Sequence, residues 1–138
     1  MVAQLSNAEL QTAKTQLQGF APAVVAMGTL EHYEGDLELS LMELIAAEAG
    51  VGAYDIDRAK LKTIFMANLR RELCGDESFR EKLEEYNRNP TKAVLLTGLI
   101  VYLVDLVTLP INPAMATIIV LWVLKLGIRV FCDYTEPE

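Results

Sequence analysis

The sequence has one histidine, His32, one tryptophan, Trp122, two cysteines, and 12 Lys+Arg against 19 Asp+Glu among its 138 residues. Each scarcity removes a class of function. A helical metal pair needs ligands at i, i+3 or i, i+4, and a dimetal carboxylate bundle needs two Glu-x-x-His units, which a single histidine cannot supply. His32 lies among Glu31, Glu34, Asp36 and Glu38. An acid/base or metal site there is a weak candidate, and the segment reads better as a solvated acidic helix end.

The shortage of bases, with a formal charge of −7, excludes the broad cationic surface that duplex nucleic acid requires. Cys74 and Cys132 have no Cys-x-x-Cys spacing and read as free, buried thiols. Met1 to Ser6 has neither a basic nor an apolar leader region, so a reducing cytoplasmic setting is expected. No Gly-x-Ser-x-Gly elbow exists. Gly50-Val51-Gly52-Ala53 follows a helix and lacks the Lys-Ser/Thr of a phosphate loop, so it reads as a helix end and turn. Cys74 falls at a helix C-terminus, where the dipole raises a thiol pKa. Together these readings predict no catalytic residue, cofactor, metal or small-molecule ligand.

Apolar material is plentiful: 52% of residues are hydrophobic and the mean hydropathy is +0.26. This suffices for one domain spanning residues 1–138. Charge divides it into parts. Residues 1–57 hold nine acids against one base, Lys14; residues 58–92 hold nine bases against six acids; a short acidic tail closes the chain at 133–138. The first block could pack on the second, although solvated helix faces explain the same pattern.

Helix signals recur along the chain, and six or seven helices in an all-α bundle are expected. Ser6-Asn7-Ala8-Glu9 is a capping box for a helix running to about Gly19. Residues 22–41 leave helix and strand open, because Gly28 and two valines weaken the helix pattern, while Asp36 to Leu41 alternates before helical spacing takes over. Asp36 is the expected cap there. Asp55 or Asp57 should cap a helix with an apolar stripe at Leu61, Ile64, Phe65, Leu69 and Leu73, ending at Gly75. Ser78-Phe79-Arg80-Glu81 reads as a second capping box, for a charged helix turning Phe79, Leu83 and Tyr86 inward.

The last third differs. Asn89-Pro90 and Asn112-Pro113 each read as a cap followed by proline at the first helical position. Each opens a nearly all-apolar helix, and the short link between them predicts an antiparallel hairpin over 89–132. Helices apolar all round belong in a bundle core or a bilayer. Mean hydropathy near +2 in each arm, a neutral turn, and Arg88, Lys92, Lys125 and Arg129 at the open end favour a bilayer with both ends cytoplasmic. Asp105 and Lys125 inside the arms, narrow polar stripes (Thr97, Asp105, Thr108; Thr117, Lys125, Arg129), and Trp122 in mid-arm favour a protein core. An apolar hairpin sheathed by amphipathic helices resembles the layout of pore-forming colicin domains and Bcl-2-like proteins, in architecture only.

The expected function is therefore non-enzymatic: interaction with another protein or with itself. The alternative is a membrane-anchored or conditionally inserting protein in which 93–131 enters the bilayer from its cytoplasmic face. Asn89, Pro90, Asp105, Asn112, Pro113, Trp122, Lys125 and Arg129 are the structural and interaction candidates.

Overall fold

The computed structural model describes residues 3–49, 58–108 and 111–135, and over these it is all-helical, without strands. The expected cap at Asp55 or Asp57 and the turn at Gly50 to Ala53 lie outside the described residues. Among the described residues there are eight helices, more than the six or seven expected: α1 (Asn7–Gln16), α2 (Ala23–His32), α3 (Leu37–Ala49), α4 (Arg58–Cys74), α5 (Glu77–Arg88), α6 (Ala93–Leu106), α7 (Pro113–Leu126) and α8 (Ile128–Tyr134).

Local signals account for most of the boundaries. The capping box of α1 is complete: Ser6 Oγ accepts from Glu9 N at 3.1 Å and Glu9 Oε1 accepts from Ser6 N at 2.9 Å. The ambiguous stretch 22–41 is helical on both sides of a turn. Ala23, Ala26, Met27 and Leu30 give α2 a buried face, and Asp36 Oδ1 accepts from Leu39 N at 3.0 Å to cap α3. Between them Gly35 adopts φ +85° and packs its Cα face onto the Leu5 carbonyl, where a Cβ would collide. Leu5 N donates to Gly35 O at 2.9 Å and Leu37 N to Ala3 O at 3.0 Å, fastening the N-terminal segment to this turn.

Three expected helix features are corrected. α5 is capped by Asp76, whose carboxylate accepts from Phe79 N at 2.8 Å, and not by Ser78, which lies within its first turn. Asn89 ends α5 instead of opening α6, because its N–H is taken by the Glu85 and Tyr86 carbonyls; α6 starts after Lys92 without a side-chain cap. The last apolar arm is not one helix: Gly127, at φ +85°, breaks it, and α8 leaves α7 at 105°. Asn112, by contrast, caps α7 as read, accepting from Met115 N at 2.8 Å with Pro113 in the first turn.

The core is organised by α7, in which every residue from 114 to 123 is buried. It packs on α2, α3, α6 and α8, while α5 covers α6 and α4 lies against α3, α6 and α8. The stripe of α4 is the four-residue series Leu61, Phe65, Leu69, Leu73; Ile64 falls off it and is 50% exposed. Thr117 does not reach solvent either: it is fully buried, and its hydroxyl donates to the Pro113 carbonyl at 2.7 Å.

The free-thiol reading is overturned. Cys74, the last residue of α4, and Cys132, in α8, form a disulfide across 58 residues of chain, with Cα atoms 6.1 Å apart. No local spacing announces the pair, because the break at Gly127 is what turns Cys132 towards the end of α4.

Candidate functional site

Among the described residues, a cavity lies between α3, α4, α7 and the segment after the Gly127 break. It measures about 350 Å³ and is lined by Glu38 of α3, Lys62, Thr63, Met66 and Ala67 of α4, Trp122 of α7, and Tyr134 and Thr135 after the Gly127 break. Trp122 is 1% exposed, with its indole packed edge-on against Phe131 at 5.2 Å and Tyr134 at 6.1 Å. Among the described residues its Nε1–H has no hydrogen-bond partner. A buried donor left in this state costs on the order of 1–3 kcal/mol relative to a paired one.

The polar wall opposite is electrically balanced. Glu38 Oε1 pairs with Lys62 Nζ, both side chains about one-third exposed. Glu38 Oε2 receives a long bond, 3.4 Å, from the Tyr134 hydroxyl. Burial, followed by the Glu38 charge, holds the Tyr134 phenol above its usual pKa, so it stays a neutral donor. Thr135 spends its hydroxyl on the Phe131 carbonyl at 2.8 Å. Met66 and Ala67 supply the apolar side, and Met66 is unbranched and able to yield.

A second feature is the outward faces of α2 and α6. Val24 and Val25 are 71% and 57% exposed, Val94 and Val101 72% and 50%. Each face carries an exposed glycine in the helix interior, Gly28 and Gly98, and a Cβ built on either meets no atom within 4 Å.

The residues singled out by sequence are dispersed, and only Trp122 reaches the cavity. Pro90 is exposed and its carbonyl accepts from the Gln16 amide; Asn112 also donates to Glu48 at 3.2 Å. Asp105 and Arg129 are exposed. Lys125 reaches Glu9 at 2.7 Å, and this bond, ahead of the Ser6 N–H, holds the Glu9 carboxyl below its usual pKa. Of the ion pairs formed by described residues, Lys62–Glu38 joins the acidic first block to the basic second, whereas Lys14–Glu31 stays within the first. His32 stacks edge-on against Tyr33 at 4.7 Å, and no group of three His, Cys, Asp or Glu among the described residues could hold a metal.

Sequence reasoning placed Glu38 with the acids around His32 and did not bring it together with Lys62, Thr63, Tyr134 and Thr135, because these lie on elements distant in the chain. The lone tryptophan on an otherwise aliphatic helix was the available signal. No protein-family model, curated protein or solved structure matches this chain, so the likeness to pore-forming colicin domains and Bcl-2-like proteins rests on the sequence pattern alone.

Proposed function

We propose that the chain is a non-enzymatic bundle built around an antiparallel apolar hairpin of α6 and α7, and that it works by docking the outer faces of α2 and α6 on another helical protein, in the simplest case a second copy. The observation that carries this reading is the pair of glycines. A glycine inside a helix costs about 0.5–1 kcal/mol relative to alanine. Among the described residues neither Gly28 nor Gly98 repays this by close packing, since the space over both is open. Both sit beside exposed valines, where the missing Cβ admits the backbone of an incoming helix.

The reading of the compartment rests on the disulfide. A bridge between Cys74 and Cys132 favours an oxidising environment over the reducing cytoplasm expected from sequence. Insertion into a bilayer is the second reading, favoured by the α7 and α8 pair, which together have the length and composition of a span but are bent by 105°. Among the described residues no single helix is long and apolar enough to cross a membrane. The 14 residues of α6 or α7 reach about 21 Å, against about 30 Å of hydrocarbon.

Light scattering coupled to gel filtration tests the proposal. The wild-type protein is expected to self-associate at tens of micromolar, and Gly98→Ile and Val101→Asp to give monomers that melt no lower than the dissociated wild type. A wild-type monomer at every concentration, with Gly98→Ala merely raising the melting temperature, removes the self-association reading. Flotation with liposomes without denaturation would instead support the bilayer reading.

A further inference from the structure

We propose that α6 is the seam of a symmetric dimer, packing antiparallel on α6 of a second copy with Gly98 crossing Gly98 and with Asp105 of each chain at the uncapped start of the other's α6. This rests on the outer face of α6 being a docking face, and adds its partner and its direction.

α6 carries its charges against its own dipole. Its N-terminal end is the positive one, yet it opens on Lys92, with no side-chain cap and no acid in the first turn. Its C-terminal end is the negative one, yet Asp105 stands in the last turn with no base beside it. Both residues are exposed, and among the described residues neither forms an ion pair. An antiparallel helix relieves both mismatches, because it brings a positive end to Asp105 and a negative end to Lys92. A parallel copy would set Asp105 beside Asp105 and Lys92 beside Lys92, which repel. A carboxylate on this face also disfavours lipid as its cover.

The spacing along α6 suits a two-fold axis. Val94, Gly98, Val101 and Asp105 are all exposed, and at about 100° per residue they fall within about 60° of one another. Gly98 lies near the middle of this stripe, with Val94 four residues before it, Val101 three after, Lys92 six before and Asp105 seven after. With Gly98 on the axis, Val94 of each chain lies beside Val101 of the other, so the contact is made twice. Asp105, about 10 Å from the axis at about 1.5 Å per residue, then stands level with the Lys92 end of the opposite helix. A Cβ built on Gly98 meets no atom within 4 Å, so the two backbones can approach closely.

Sedimentation velocity over a concentration series of the full chain is the test. The wild type is expected to reach a dimer and nothing larger, with a Kd on the order of 10 µM. Asp105→Lys and Lys92→Asp should each weaken it about thirtyfold, because two exposed attractions become repulsions of similar size. An equimolar mixture of the two variants should associate at least about tenfold more tightly than either alone, since unlike charges again meet at both ends of the seam. Both substitutions suit the dipole of α6, so each variant, diluted to monomers, should melt no lower than the wild type. Variants that melt lower overturn the proposal, because the mismatch with the dipole is its premise. A dimer that neither reversal weakens overturns the antiparallel seam and leaves self-association standing, whereas a wild type monomeric at every concentration overturns both. A loss that mixing does not restore also overturns the seam, and assigns Asp105 to a different surface of the second copy, such as α2.

Discussion

Arg70 Nε donates to the main-chain carbonyl of Cys132 at 2.8 Å, one helical turn before Cys74 holds the same residue through sulfur. The end of α4 thus fixes α8 twice, by a hydrogen bond that survives reduction and by a covalent bond that does not. Closing a loop of 58 residues should stabilise the fold by about 4 kcal/mol on the chain-entropy account. Denaturant unfolding with and without reductant is the check. The reduced protein is expected to unfold at a clearly lower midpoint, with the Trp122 environment little changed beforehand, because Arg70 and the fully buried Phe131 still hold α8. Coincident midpoints would show that the bridge does not form in solution.

Gly35 is the position where the backbone tolerates least. Its φ of +85° disfavours any side chain, and a Cβ there would strike the Leu5 carbonyl, which is main chain and anchored by the Leu5 to Gly35 hydrogen bond. Gly35→Ala should therefore destabilise by more than about 2 kcal/mol and release the N-terminal segment. Hydrogen exchange at Leu5 and Leu37 reads that release directly. Gly98→Ala, on an open helix face, serves as the contrasting substitution and should leave both amides protected.

Two carboxylates among the described residues contribute to the acid limb of stability. The Thr108 hydroxyl first, and its N–H at 2.7 Å second, lower the Glu72 pKa; Lys125 and then the Ser6 N–H lower that of Glu9. A group whose folded pKa is depressed stabilises the fold above its ordinary value, here 4.5, and loses that contribution as pH falls through the lower folded value. Melting temperature should therefore be flat near neutrality and decline once pH drops below about 4.5. Glu72→Gln should make the decline shallower. An acid limb of unchanged slope would show that the link from α4 to Thr108 does not persist in solution.

What the sequence could tell depended on whether the signal was local. The Ser6 capping box, the Asn112-Pro113 start of α7 and the inward Phe79, Leu83 and Tyr86 are decided within one turn of helix, and all were legible. Asn89 and Ser78 were misread because a competing residue a few positions away held the stronger claim: α5's own carbonyls for Asn89, and Asp76 for Ser78. The disulfide was not legible, and of the cavity only Trp122 was. Both depend on the direction in which Gly127 turns the chain, and a glycine in a hydrophobic run does not declare its φ.

The bridge also alters the connectivity of the molecule. With Cys74 joined to Cys132, α5, α6 and α7 lie on a closed covalent ring, while α1 to α4 and the residues beyond Cys132 hang from it as two tails. A protease that cuts the ring once, anywhere between the two cysteines, opens it without separating the pieces. Such a nicked chain keeps the mass of the intact protein, apart from one added water, until a reductant divides it.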